Sequence, residues 1–357
     1  MIFNLQVLRA VAAYLVFFHH FVPNLTPYFP NAKSYEFGAA GVDIFFVLSG
    51  FIMVVTTFNK ESDPFRFMLN RIVRIVPMYW IVTLFVVALF VIGFRPVGVM
   101  ELRADYIFNS LFFIPFTRNG LWEPILSVGW TLNYEMFFYV VFASLLPIKN
   151  FLLRICFLSA VLAIFVASGE VLPLGYMAYY AKPIILDFVF GVAIGAAYLL
   201  TGARWSDNKT AAVAGWSFLI LGVVLIAATG FGLGLSHSTG IFRPLSWGVA
   251  GFLLVSGCVL LEKNGFRLKN KWIIELGNAS YSIYLIHNLL IQTSAKAVNA
   301  LWGPGILSVA LAAILALFAT TLLSLMAYRF VEAPLNQAYR RRSASAPKAE
   351  AAVSQNG

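Results

Sequence analysis

The amino-acid sequence predicts an all-α integral membrane protein, a bundle of about ten transmembrane helices with both termini in the cytoplasm. Of the 357 residues, 61% are hydrophobic and 11% are charged, and the mean hydropathy is +0.84, whereas soluble domains are about 45–50% apolar. The hydrophobic residues form runs of about 17–25, the length that a helix needs to cross a bilayer. These runs do not alternate polar and apolar residues, which excludes a membrane β-barrel.

Ten apolar runs define the predicted spans in chain order. They cover residues 5–22, 39–58, 75–94, 130–147, 151–167, 181–200, 211–231, 244–261, 277–297 and 306–328. The connection between the fourth and fifth runs, at Lys149, is very short and leaves the count open at that point. Residues 1–335 form one transmembrane domain, and residues 336–357, which end in SASAPKAEAAVSQNG, are expected to be a polar, disordered cytoplasmic tail.

The distribution of basic residues orients these spans. The chain has 25 Lys and Arg against 15 Asp and Glu, a net charge of +10. Alternate loops with their flanking turns hold 17 basic residues on one side and 7 on the other, and Arg9 lies inside the first span. Cytoplasmic loops carry such an excess, so both termini are expected in the cytoplasm. Because the charge follows the loops, no nucleic-acid partner is expected.

Cysteine and small-residue motifs carry little of the predicted chemistry. Cys156 and Cys258 both lie in apolar runs, so neither a disulfide framework nor a metal site is predicted. Ser49-Gly50 in the second span lacks the G-x-S-x-G pattern of a serine nucleophile. We interpret this pair as a helix-packing element, the usual role of small residues in membranes.

An arginine and a histidine lie inside the first predicted span. Ionisable side chains are costly in hydrocarbon, so those that occur there are candidates for function. Arg9 and His20 are eleven positions apart, and eleven steps of about 100° bring them to one helix face, about 16 Å apart along the axis. We expect Arg9 toward the cytoplasmic end and His20 in the outer half.

Four further ionisable residues are predicted at the depth of His20. Asp43, Glu135, Asp187 and His287 each fall in the outer half of a span. Taken singly, Asp187 and His287 fit a satisfied structural role better than a functional one. His20 and Asp43 together have the parts of a general base and its orienting carboxylate.

A second basic cluster precedes the third span, in the segment RIVRIVPMYW. Arg71 and Arg74 are three residues apart on one helix face, and Tyr79 and Trp80 follow them. This cluster fits two interpretations. One is anchoring at the cytoplasmic interface with an aromatic belt. The other is a phosphate site, in which the paired guanidiniums bind phosphates and an aromatic ring stacks on a nucleobase.

Six segments occur in order along the chain and together resemble a known family. They are LQVLRAVAAYLVFFHH, GAAGVDIFFVLSGFIM, RIVRIVPMYW, WTLNYEMFFYVVF, GNASYSIYLIH and FVEAPL. In sequence and order they are similar to the motifs of the membrane-bound acyltransferase-3 family, from about Asn4 to Leu335. Within that family, the second and third segments most resemble the short exopolysaccharide acetyltransferases, which lack the C-terminal esterase-like domain of longer members.

The resemblance implies an enzyme of the bacterial inner membrane that moves an acyl group, usually acetyl from acetyl-CoA, to a sugar hydroxyl of a lipid-linked or exported glycan. The family's essential arginine and histidine fall on Arg9 and His20. Its paired arginines, which serve the acyl donor, fall on Arg71 and Arg74, and the acid of its WSL-x-x-E-like motif falls on Glu135. A polysaccharide synthesis or export complex is the protein partner that this activity implies.

These residues suggest one mechanism and leave two rivals. The paired arginines would hold the CoA phosphates, while His20 would either deprotonate the acceptor hydroxyl or be acetylated transiently. Asp43 or Glu135 would orient the imidazole and stabilise its charged form. The same charges also fit a proton relay in a transporter or flippase of a glycan or lipid. A membrane scaffold for polysaccharide synthesis is the third interpretation.

Overall fold

The chain folds as an all-helical bundle, which confirms the predicted class. The computed structural model describes residues 2–58, 63–95, 101–118, 120–169, 175–231 and 240–345. Within these ranges it has no β-strand and thirteen α-helices. They are α1 (Phe3–Phe21), α2 (Ala40–Thr57), α3 (Pro64–Val91), α4 (Ala104–Leu111), α5 (Trp130–Leu145), α6 (Phe151–Gly169), α7 (Leu186–Thr201), α8 (Lys209–Gly230), α9 (Val249–Lys263), α10 (Lys271–Asn278), α11 (Ser280–Trp302), α12 (Ile306–Ala327) and α13 (Ala333–Ser345).

Eight helices in the described part of the chain are long and apolar enough to cross a membrane: α1, α2, α3, α6, α7, α8, α9 and α12. The fourth and ninth predicted spans, α5 and α11, fall outside this set. α5 has 16 residues, about 24 Å at about 1.5 Å per residue, against a hydrocarbon core of about 30 Å. α11 has 23 residues, but polar side chains such as Lys296 lower its hydropathy. The chain is a multi-pass membrane protein, and about ten crossings stays a prediction.

The long helices, taken together with α5 and α11, alternate in direction along the chain, so the bundle has two ends. At the N-terminal end, where α1 begins, the main-chain N–H of Asn4 donates to Glu262 near the end of α9, at 2.7 Å. At the distal end, where α1 finishes, Gly230 at the end of α8 packs against Phe37 just before α2. The direction of every long helix follows from these two ends.

Glycine pairs bring α2 and α7 into backbone contact at the centre of the bundle. A Cβ at Gly50 would lie 2.2 Å from the carbonyl oxygen of Phe188, and one at Gly191 would lie 2.0 Å from that of Val47. Only glycine permits such an approach, because backbone atoms on the facing helix cannot move aside. The packing role predicted for Gly50 is therefore confirmed.

The third helix begins eleven residues before its predicted start at residue 75. The Asp63 carboxylate accepts the main-chain N–H of Arg66 at 2.8 Å, and Pro64 occupies the first helical position. An aspartate cap followed by proline is a strong helix start. Arg71 and Arg74 therefore lie inside the helix, in its second and third turns, and their directions are fixed by the helix backbone.

The last span continues into a helix that the sequence analysis assigned to a disordered tail. A π-helical turn at Tyr328–Glu332 joins α12 to α13, which runs to Ser345. The Asn336 amide donates to the carbonyl oxygen of Glu332 at 2.8 Å across this junction. The prediction of a disordered tail from residue 336 is therefore wrong as far as Ser345. This segment is helical because alanine, glutamine and arginine are good helix formers. Residues 346–357 lie outside the described residues.

Candidate active site

A central cavity lies between α1, α2, α3, α5 and α11. Its empty volume is about 760 Å³. Four of the eight predicted site residues line it together: Arg9, Arg71, Arg74 and Glu135. Apolar side chains of α2, among them Phe45 and Ile52, form the opposite wall. Residues distant in sequence thus meet in one enclosed, partly apolar space.

Three guanidiniums of the central cavity have no carboxylate partner. Arg9 donates from Nε to the Ser280 hydroxyl at 3.2 Å. The Arg71 guanidinium lies 6.0 Å from the centre of the Tyr139 ring, and its buried Nε has no hydrogen-bond partner. Among the described residues, neither these two nor Arg74 forms a salt bridge. Three guanidiniums against the single carboxylate of Glu135 leave the cavity lining with a net positive charge, which suits an anion with several oxygens.

Glu135 is held by two hydroxyl groups. It accepts a hydrogen bond from the Ser49 hydroxyl at 2.9 Å and another from the Tyr139 hydroxyl one turn along α5. Ser49 thus faces the cavity, although the sequence analysis assigned it to packing with Gly50. Its contact with Glu135 could not be read from the sequence, because the two residues belong to helices that are not consecutive.

A second cavity, the N-terminal cavity, opens at the N-terminal end of the bundle and shares Arg9, Arg71 and Arg74 with the central cavity. Its empty volume is about 1690 Å³. Gln6 and Asn70 lie on its wall, as do several residues of α13. The arginines thus stand where a route from this end enters the centre of the bundle.

His20 lies at the opposite side of the centre, on the wall of a distal cavity with an empty volume of about 1300 Å³. Its Nδ1 is 3.0 Å from the carbonyl oxygen of Val16 and 3.3 Å from Nε2 of His287. The Nδ1 of His287 is 2.7 Å from the carbonyl oxygen of Tyr284 and 3.2 Å from that of Ile283. Two imidazoles and two turns of helix backbone thus form one hydrogen-bonded chain.

These contacts fix the tautomers of the two imidazoles. Because carbonyl oxygens only accept, the neutral His287 ring carries its proton on Nδ1 and presents a lone pair at Nε2. Nδ1 of His20, which faces that lone pair and the Val16 carbonyl, must then carry the proton of the His20 ring. The remaining Nε2 of His20 then carries the ring's lone pair and has no hydrogen bond to any described residue, and the His20 side chain lines the distal cavity.

The predicted common face of Arg9 and His20 is confirmed by their partners. Arg9 bonds to Ser280 and His20 to His287, and these two positions on α11 are seven residues apart, about two helical turns. Both side chains of α1 therefore point toward the same neighbouring helix.

One layer of side chains separates the central and distal cavities. The hydroxyl of Tyr284 lies 2.8 Å from that of Thr131 and donates to the carbonyl oxygen of Val128 at 3.0 Å. Tyr284 and Thr131 line the central cavity, and Val128 lines the distal one. The arginines and His20 thus approach this layer from opposite ends of the bundle.

Asp43 does not orient His20. The fully buried carboxylate accepts from Nε and Nη2 of Arg243 at 3.0 and 2.9 Å, and Asp187 lies beside the same guanidinium. Among the described residues His20 has only Val16 and His287 as hydrogen-bond partners. The layer of five ionisable residues expected from the sequence separates into three groups, because depth along a helix does not determine which neighbour a side chain faces.

Tyr79 and Trp80 do not join the arginines. Tyr79 is buried and donates to the carbonyl oxygen of Ser110 at 3.1 Å, and Trp80 donates to that of Leu111 at 2.8 Å. Both side chains are thus hydrogen-bonded to the end of α4. The predicted stacking on a nucleobase is therefore wrong for both, because five and six steps of about 100° from Arg74 turn them away from the arginine face.

The sequence analysis missed Tyr139, Tyr284 and Ser49 and assigned His287 to structure. One signal was present: Ser280, Tyr284 and His287 recur at helical spacing in SYSIYLIH, so they share a face of α11. The others become visible only when the helices are packed together.

The chain belongs to the acyltransferase-3 family, whose model, described as an acyltransferase domain, matches residues 2–329. The exopolysaccharide production protein ExoZ of Rhizobium meliloti is 37% identical over 323 residues, 88% of this chain and 95% of ExoZ. BcsY of Komagataeibacter xylinus is 28% identical over 280 residues, 70% of this chain and 65% of BcsY.

A longer relative is more distant. The peptidoglycan O-acetyltransferase OatA of Listeria monocytogenes is 25% identical over 363 residues, which cover 92% of this chain and 55% of OatA. No solved structure matches the chain. The family predicted from six motifs is confirmed, and the chain is a membrane acyltransferase.

Proposed function

We propose that the chain transfers acetyl from acetyl-CoA to a hydroxyl of an exopolysaccharide or another cell-surface glycan, in the bacterial inner membrane. One observation carries this proposal: an arginine-lined cavity and a basic imidazole nitrogen approach one thin layer of side chains, at Tyr284, from opposite ends of the bundle. Two relatives, the exopolysaccharide production protein ExoZ and the peptidoglycan O-acetyltransferase OatA, support a glycan acceptor.

The donor enters at the N-terminal end, which the excess of basic residues assigns to the cytoplasm. Arg9, Arg71 and Arg74 fit its phosphates because they combine three charges with no carboxylate partner among the described residues, and guanidiniums bind phosphate oxygens in pairs. The thioester then lies deeper, beside the apolar wall of α2. That wall limits access of water, which would otherwise hydrolyse the thioester.

The acceptor enters at the distal end, where Nε2 of His20 takes the proton of the attacking sugar hydroxyl. The sugar oxygen bonds to the thioester carbonyl carbon, the carbon–sulfur bond breaks, and the leaving thiolate receives the proton that His20 took, which returns the imidazole to its neutral form. His287 acts as a positioning residue, because its Nε2 lone pair keeps the His20 proton on Nδ1. Transient acetylation of His20 before transfer uses the same nitrogen and is the second form of this mechanism.

The two carboxylates have different roles in this scheme. Glu135 holds the hydroxyls of Ser49 and Tyr139 in the cavity wall, so we assign it to positioning near the donor. Asp43 neutralises Arg243 and stabilises the distal end of α2. Neither carboxylate contacts His20.

The test is release of free thiol from acetyl-CoA by purified, reconstituted protein, with and without extracted cell-surface glycan. Wild type is expected to need the glycan, and His20→Ala is expected to lose at least about a hundredfold in rate, the usual contribution of a general base. Arg103→Ala is the control, because Arg103 is exposed and lines none of these cavities. Size-exclusion profiles confirm that each variant is folded.

Three outcomes separate the alternatives. An unchanged rate for His20→Ala would remove His20 from the chemistry. An acetylated peptide containing His20, trapped in a single turnover, would establish the transient carrier over direct transfer. If wild type releases no thiol but moves glycan or lipid across the bilayer, the chain is a transporter or flippase instead.

A further inference from the structure

The last described helix covers the N-terminal cavity. The π-helical turn at Tyr328–Glu332 leads α13 across this end of the bundle. Tyr328 and Glu332 line the cavity, and so do five residues of α13. The match to the family model ends at residue 329, so these five residues lie beyond the matched part of the chain.

The contribution of α13 is one polar helix face. Asn336, Gln337, Tyr339 and Arg340 all line the cavity, and Tyr339 and Arg340 lie three and four residues from Asn336, the spacing of neighbouring side chains on a helix. Tyr339 is half-buried and Arg340 is exposed at the rim. Arg340 forms no salt bridge with any described residue.

Arginine side chains lie both at the rim of this cavity and toward the centre of the bundle. Arg340 lines only the N-terminal cavity, whereas Arg9, Arg71 and Arg74 line both this cavity and the central one. The acid on this wall, Glu332, accepts a hydrogen bond from Ser282 at 3.0 Å. The cavity therefore presents arginine at two depths, with an aromatic ring and side-chain amides between them.

This arrangement matches a ligand that has phosphates at two separate positions and a heteroaromatic ring near one of them. Guanidiniums bind phosphates, and a tyrosine ring stacks on a base. Tyr79 and Trp80 point away from the cavity. Tyr328 and Tyr339 are the tyrosines that line it, and Tyr339 directly precedes Arg340 in α13.

We propose that α13 completes the donor site: Arg340 binds the 3′-phosphate of CoA and Tyr339 packs against the adenine, while Arg71 and Arg74 bind the pyrophosphate. This inference rests on the proposed function, because it takes CoA as the donor. It assigns a ligand contact to a segment outside the family match, and it replaces the aromatic contacts that the sequence predicted for α3.

Equilibrium binding by calorimetry tests the assignment without turnover. The probes are CoA and 3′-dephospho-CoA, titrated into purified wild type, Arg340→Ala, Tyr339→Ala and Arg341→Ala. Wild type is expected to bind CoA about tenfold more tightly than 3′-dephospho-CoA, the size of one charge-assisted contact. Arg340→Ala is expected to bind both with the weaker affinity, and Tyr339→Ala to weaken both about equally. Arg341 does not line the cavity, so Arg341→Ala is expected to match wild type.

Other outcomes of the titrations would refute either the role of α13 alone or the proposed function as well. If wild type binds CoA and Arg340→Ala retains the full preference for the 3′-phosphate, the role of α13 is wrong and the proposed function stands. If wild type binds neither probe, the donor is not CoA and both proposals fail.

Discussion

Replacing Asp43 by asparagine is expected to lower the free energy of unfolding by about 3 kcal/mol and to leave the folded enzyme active. The carboxylate is fully buried and accepts two hydrogen bonds from Arg243, at 3.0 and 2.9 Å. Removal of one partner from a buried ion pair costs about 3–5 kcal/mol, because the remaining charge is left uncompensated. Asp187 interacts with the same guanidinium and takes over part of the compensation, which places the loss at the lower end.

The assay is equilibrium unfolding in detergent micelles, followed by circular dichroism. Asp187→Asn is the matched control, because this residue is equally buried but neither of its carboxylate oxygens has a hydrogen-bond partner. We expect it to cost less than Asp43→Asn, about 1 kcal/mol, since it removes no hydrogen bond to Arg243 even though its carboxylate lies beside the same guanidinium. Asp105→Asn breaks an exposed pair with Arg103 and is expected to have no measurable effect.

Two results would refute this reasoning. Equal losses of stability for Asp43→Asn and Asp187→Asn would show that the pair with Arg243 is not what stabilises the distal end of α2. Unchanged stability with a large loss of turnover per folded Asp43→Asn molecule would return Asp43 to the chemistry of His20.

Three further substitutions test packing, donor binding and base positioning. Gly50→Ala is expected to reduce the folded yield in detergent, because the added Cβ would lie 2.2 Å from a carbonyl oxygen of α7. Gly305→Ala is the control and should express normally, because nothing lies nearer than 4.0 Å to its added Cβ. Arg71→Ala is expected to raise the KM for acetyl-CoA at least about tenfold and to leave the KM for glycan unchanged; equal changes in both would contradict a donor role. His287→Phe removes one of the two acceptors for the Nδ1 proton of His20 and leaves the Val16 carbonyl oxygen. It is expected to lower kcat about tenfold at saturating donor, and an unchanged kcat would show that the imidazole pair is not needed.

Features that lie within one helix could be predicted from the sequence. Arg9 and His20 share a face because a helix turns by about 100° per residue whatever surrounds it. Arg71 and Arg74 share a face for the same reason. Length and hydropathy were sufficient to locate ten helices, although 16-residue α5 and polar α11 depend on their neighbours for their position in the bundle.

Contacts between helices could not be predicted in this way. Depth along the axis places Asp43 near His20, but rotation about the axis directs one carboxylate to Arg243 and the imidazole to His287. The partner of Glu135, Ser49, lies 86 residues away along the chain. Such pairs depend on how the helices pack, and hydropathy carries no information about that.

In the proposed mechanism, donor and acceptor reach the reaction from opposite ends of the bundle. Sealed proteoliposomes that enclose labelled acetyl-CoA, with glycan supplied only outside, test this directly. Labelled glycan outside, formed while acetyl-CoA stays enclosed and absent with His20→Ala, is the predicted result. Transfer only after the vesicles are permeabilised, or only when both substrates are supplied on one side, would contradict the account.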